Sequence, residues 1–153
     1  MSIKVGDRLP SVTLMHMTEK GPAPITTDEL FGKKKTVLFA LPGAFTPTCS
    51  ARHLPGYVEH AGDFTKEGVD AIVCLSVNDA FVMGAWGKSS NAGGKVRMLA
   101  DGNGDFTHAV GLGLDANGAH DGAEGPDLGI GLKVHARLEA RRVAGRQRVA
   151  ARI

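Results

Sequence analysis

Two short apolar runs separated by a helical stretch constrain the fold of this 153-residue chain more than any other feature. Residues 35–41 (KTVLFAL) and 69–77 (VDAIVCLSV) are rich in β-forming side chains and too short for ordinary helices, the pattern of strands covered on both faces. Between them, from Thr48 on, Ala51, Leu54, Val58 and Ala61 recur at spacings of three and four until Gly62 and Gly68 break the pattern. Pro55 falls inside that helical segment and is expected to kink it. After the second run, Asn78-Asp79 offers a cap for a helix over residues 80–89, followed by a short strand at 96–100 and a helix near 105–110. Upstream, Thr26 with Glu29 three residues later fits a capping box, and Gly32 a helix stop. Strands alternating with helices at this interval imply parallel crossovers and hence an α/β three-layer sandwich.

The pattern does not reach the end of the chain. Residues 1–132 hold eleven Lys/Arg and fifteen Asp/Glu, whereas residues 133–153 hold seven basic side chains against Glu139 alone. All eight aromatics lie between Phe31 and Phe106, so nothing beyond them supplies a large ring to a core. The expectation is one domain over residues 1–118 and a divergent basic tail over 119–153. In that tail, 119–131 reads as loop and 134–151 as an Arg/Ala-rich helix. Clustered arginines attract phosphates, but a solvated charge run is the commoner explanation, and nucleic acid is not an expected partner. Two cysteines cannot build a disulfide scaffold. With no apolar signal core after Met1 and no run able to span a bilayer, the chain is expected to be cytosolic and not bound to a membrane. The histidines show no ligand spacing, so no metal is expected.

Cys49 is the first candidate for chemistry. It follows a buried strand, the Pro42-Gly43 turn and the segment Ala44-Phe45-Thr46-Pro47-Thr48, and falls in the first turn of the next helix. Unpaired N–H groups and the positive end of the helix dipole favour an anion there, so the position suits a nucleophilic thiolate. Thr46 adds a hydroxyl on the same turn, and Arg52 and His53 add polar groups one turn on. Position alone leaves open the alternative that Cys49 is a small buried side chain, and that His53 only packs at the Pro55 kink. Cys74 sits mid-strand and reads as buried.

Pro42-Gly43-Ala44-Phe45-Thr46-Pro47-Thr48-Cys49 resembles the P-x-x-x-T-x-x-C signature of peroxiredoxins. His53-Leu54-Pro55-Gly56-Tyr57, the stretches 74–82 and 95–101, and Val5-Gly6-Asp7 are similar to the atypical, type-five redoxin group. The resemblance covers about residues 2–118. It implies a thioredoxin-like fold and reduction of hydrogen peroxide or alkyl hydroperoxides without a cofactor. By the same resemblance Cys49 is the peroxidatic cysteine, Thr46 hydrogen-bonds peroxide and sulfur, and Pro42 shields the sulfenic acid. The N–H groups of Thr48 and Cys49 would steady charge on the departing oxygen, with His53 and Arg97 as further substrate-side candidates. Since the position of Cys74 is not generally a resolving one, an external thiol such as glutathione, glutaredoxin or thioredoxin is expected to act as reductant. The segment of Phe81, Val82 and Trp86 reads as core or as a dimer face, which allows a homodimer.

The resemblance leads one to expect an active-site arginine and a β-hairpin after Asp115, and neither is recognisable in 119–153. The hairpin is therefore expected to be missing or replaced, by a shifted reading frame or a divergent tail, and activity to be reduced for want of the arginine. A second reading follows: a catalytically impaired or truncated thioredoxin-fold module acting mainly in protein association.

Overall fold

The computed structural model describes residues 3–41, 43–113, 137–143 and 146–152, the last two segments by their backbone. Its elements in chain order are β1 (Thr13–Thr18), β2 (Gly21–Thr26), α1 (Thr27–Phe31), β3 (Thr36–Leu41), a π turn (Cys49–His53), α2 (Leu54–Glu59), α3 (Ala61–Lys66), β4 (Ala71–Ser76), α4 (Ala80–Ser89), β5 (Arg97–Ala100), α5 (Asp105–Ala109), β6 (Arg137–Val143) and β7 (Arg146–Arg152). One seven-stranded sheet runs in the order β2-β1-β5-β4-β3-β6-β7. Strands β3, β4 and β5 are parallel, as the crossovers require, with Leu41 opposite Ser76 and Ser76 opposite Ala100.

Alternate side chains of the central strands feed two cores. Leu38, Ala40, Val73, Leu75 and Leu99 pack with Leu30 and Phe31 of α1 and Phe106 of α5. Val37, Phe39, Leu41, Ile72 and Cys74 pack on the other face with Leu54 of α2 and Met83 and Trp86 of α4. That division gives the three layers expected, in a thioredoxin-like arrangement. The expected capping box is present: Thr26 Oγ1 accepts from the Glu29 N–H at 3.2 Å, and Glu29 accepts from the Thr26 N–H at 2.8 Å.

The β1–β2 hairpin has no counterpart in the sequence reading. Pro22 and Pro24 argue against a strand, yet β2 is an edge strand, where alternate nitrogens face away from the ladder and a missing donor costs nothing. At the other edge the helix expected over 134–151 is corrected: residues 137–143 and 146–152 are antiparallel strands, and β6 pairs with β3 from Thr36↔Ala140 to Leu38↔Leu138. The hairpin's place in the sheet is thus filled by arginine-rich sequence. Helix propensity is a weak prior that an open sheet edge overrides, and Leu138 and Ala140 alternate with Arg137, Glu139 and Arg141 at the strand period. The domain boundary expected near residue 118 lies outside the described residues.

Candidate active site

The loop after β3 leads into the helix that carries Cys49, at the carboxyl end of the parallel strands, where open α/β sheets gather their chemistry. Residues 47–48 are helical, and Pro47 suits a first turn because its missing N–H would have no intrahelical partner. The Ser50 N–H already reaches back to the Thr46 carbonyl at 2.9 Å, while the N–H groups of Thr48 and Cys49 have no protein acceptor among the described residues. Two donors and the positive end of the helix therefore lie at the turn that carries Cys49. Cys49 itself is 6 % exposed and unpaired, and its backbone carbonyl accepts from the Leu54 N–H across the π turn. The expected kink at Pro55 takes that form: proline has no N–H to give the Ala51 carbonyl, and widening the turn by one residue relieves the ring's clash with it.

Several contacts fix the loop. Thr46 Oγ1 donates to the Gly43 carbonyl at 2.9 Å, which holds its hydroxyl on the Cys49 turn. Asn78, read from sequence only as a candidate cap, accepts at Oδ1 from the Ala44 N–H at 2.9 Å and from Ser76 Oγ at 2.8 Å, tying the loop to the end of β4. Of the Asn78-Asp79 pair expected to cap α4, Asp79 is the cap, accepting from the Val82 N–H at 2.8 Å. Phe45 has φ of 63°, uncommon for a residue with a side chain, and its exposed ring lies 6.4 Å from Trp86. The Trp86 indole donates to Ser50 Oγ at 3.0 Å, a link that sequence spacing could not show.

His53 packs its ring 5.2 Å from Phe39 and 5.9 Å from Tyr57, in an aromatic group where Phe39 and Tyr57 stack at 3.9 Å. With Thr48, Arg52, Tyr57 and Phe64 it lines a groove of about 720 Å³ along the same helical stretch. The structure thus places Thr46, Thr48 and Cys49 on one turn, while the His53 ring packs with Phe39 and Tyr57 and lines the groove beyond it. Arg97 is not among them: it lies at the start of β5, level with Val73, and lines a separate cleft with His16 and Lys95. Pro42 lies outside the described residues, and of the stretch 119–153, in which an active-site arginine was sought, only the backbones of 137–143 and 146–152 are described.

Cys74 shares the Cys49 core and is fully buried on β4. Burial pushes its thiol well above the ordinary range, and the neighbouring Cys49 adds to the shift.

Comparison with known proteins gives a consistent likeness. The Redoxin family model matches residues 4–124. The chain is 46% identical to chloroplastic Peroxiredoxin-2E of Arabidopsis thaliana over 91% of its length and 56% of that protein's, and 46% identical to Arabidopsis Peroxiredoxin-2B over 86% and 76%. The crystal structure of reduced Prx3 from Vibrio vulnificus in complex with hydrogen peroxide superposes with a TM-score of 0.77 at 42% identity, covering 97% of this chain and 89% of that one. The chain spans little more than half the length of the chloroplastic relative. That relative also overturns the cytosolic expectation: an apolar core missing after Met1 does not place a chain whose similar relatives include chloroplast proteins.

Proposed function

That the chain belongs to the redoxin family, among the peroxiredoxins, is the premise from which we propose that it is a thiol-dependent peroxidase with Cys49 as nucleophile. The carrying observation is the place of Cys49 on a turn whose Thr48 and Cys49 N–H groups have no protein acceptor among the described residues, with the Thr46 hydroxyl on the same turn. The Cys49 thiolate attacks the terminal oxygen of a hydroperoxide and the O–O bond breaks. The sulfur is oxidised to a sulfenic acid, and the leaving oxygen takes a proton and departs as water or alcohol. The two N–H groups donate to the oxygen on which charge gathers, in a geometry already set before reaction. The Thr46 hydroxyl can turn from the Gly43 carbonyl to the peroxide, since it both donates and accepts.

Return to the thiol needs a reductant. Cys74 is buried and held in its neutral form, so an external thiol attacks the sulfenic sulfur, water leaves, and a second thiol frees Cys49 from the mixed disulfide. Glutathione, glutaredoxin and thioredoxin share this chemistry. The relatives favour the peroxidase reading over a catalytically impaired or truncated thioredoxin-fold module acting mainly in protein association.

Peroxide consumption with an excess of small dithiol tests the reading: Cys49→Ser should abolish turnover and Cys74→Ser should keep it. A Cys49→Ser protein consuming peroxide at the parental rate would overturn it. After one equivalent of peroxide, a single cysteine should be trapped as sulfenic acid at Cys49, and rapid loss of both as an intramolecular disulfide would refute external resolution.

A further inference from the structure

A second cleft, of about 700 Å³, lies between β1, α4 and β5, set back from the carboxyl end of the sheet where Cys49 sits. Its floor is apolar and tight: a Cβ on Gly84 or Gly87 would come within 2.7 Å of Met17 or Met98. Its rim is cationic, with Lys88, Lys95 and Arg97 all exposed, and Glu19 is the single carboxylate on the wall. None of the three cations forms an ion pair among the described residues. The loop that closes the cleft carries Gly93 and Gly94, whose N–H groups have no protein acceptor among the described residues and whose Cα atoms face open space. Deeper in, His16 is held below the ordinary histidine range by burial and then by the Arg97 guanidinium. Three cations against one carboxylate, next to backbone donors with no acceptor among the described residues, describe half of an ionic interaction.

We propose that this cleft binds small phosphate-bearing anions, with Arg97 and Lys95 gripping the phosphate oxygens and the Gly93 and Gly94 N–H groups completing the cradle. Arginine presents a planar fork that meets two oxygens at once, lysine a mobile point charge, and backbone N–H groups suit the remaining oxygens. Lys88 supplies further potential from the last turn of α4. An organic group attached to the phosphate would rest on Met17 and Met98, whose flexible thioethers adapt to shape. The site is independent of the Cys49 chemistry.

The test is calorimetric titration of the full chain, in the Cys49→Ser background so that thiol oxidation plays no part, with inorganic pyrophosphate and separately with adenosine diphosphate. Saturable binding of one ion per chain is expected, weakened at least tenfold by combined Lys95→Ala and Arg97→Ala and partly restored by Arg97→Lys. His16 supplies a local readout: bound anion should raise its titration midpoint in a proton NMR series, against the surrounding Arg97, Lys88, Lys95 and Glu19. Equal affinity for both probes means that the phosphate alone is recognised; tighter diphosphate nucleoside means that the methionine floor takes the organic part. Binding undiminished in the double variant belongs to the arginines of residues 137–152 and overturns the proposal, as does no saturable binding of either probe.

Discussion

The indole N–H of Trp86 donates to Ser50 Oγ at 3.0 Å, joining α4 to the residue that follows Cys49 across 36 positions of sequence. Trp86 is 1 % exposed, and this partly buried bond ties the π turn to α4, with the exposed Phe45 ring 6.4 Å from the indole. Removing the acceptor leaves a buried donor unsatisfied, at a cost of about 1–3 kcal/mol. Ser50→Ala should therefore lower stability in urea unfolding by about 2 kcal/mol. Trp86→Phe, which removes the donor and some volume, should slow peroxide consumption as the Cys49 turn loosens. Parental rates in both variants would mean that the turn holds without this link.

Cys74 makes a second prediction, about pH. Its folded-state pKa lies well above its unfolded value of ~8.5. The contribution to stability is complete below that value and is lost as pH rises through the alkaline range, because the unfolded thiol ionises first. Urea midpoints of Cys74→Ala should fall less steeply above about pH 9 than those of the parent. At neutral pH iodoacetamide should modify Cys49 in the native protein and reach Cys74 only on unfolding. Equal alkylation of both thiols in the folded chain would contradict the burial described.

Which of these features the sequence discloses follows from the range of the interaction that sets each. The α4 bounds, the Thr26–Glu29 box and the continuous apolar runs of β3 and β4 are local patterns, and the structure has them where they were read. Cys49 was legible because strand, proline turn and helix start lie within about a dozen residues of one another. Asn78 meets Ala44, and Trp86 meets Ser50, only through the fold, so spacing carries no trace of these contacts. Strands β2 and β6 were missed for a related reason: proline in one and helix-forming Arg and Ala in the other give the wrong local signal, and sheet-edge pairing overrides it. Arg97 was drawn toward the site by motif likeness, but the register puts it level with Val73, away from the loop that follows Leu41.

Asp101 shows how a turn residue comes to govern a helix. It is 3 % exposed and accepts from the Phe106 N–H at 3.1 Å, the Thr107 N–H at 2.9 Å and Thr107 Oγ1 at 2.7 Å. The nominal cap of α5, Gly104, is left-handed and has no side chain, so Asp101 satisfies the first turn from outside it. Asp101→Ala would strand three buried donors and should cost about 3 kcal/mol in denaturant unfolding. A loss below about 1 kcal/mol would show that water replaces the carboxylate readily.

Two glycines of α4 separate close packing from helix propensity. Alanine is the better helix former by about 1 kcal/mol, so Gly84→Ala and Gly87→Ala would each stabilise a helix standing alone. In the protein an added Cβ at Gly84 falls 2.7 Å from Met17 Cβ, an atom fixed to the backbone of β1 that cannot rotate away. At Gly87 the near atom is Met98 Cγ, also at 2.7 Å, which a change of rotamer can move. Overpacking against a fixed atom costs about 1–3 kcal/mol, enough to exceed the propensity gain, whereas the Met98 clash can be relieved in part. Gly84→Ala should therefore lower the thermal midpoint clearly and Gly87→Ala by less, with Met98→Ala restoring the second but not the first. The reverse order would mean that β1 yields more easily than the Met98 side chain.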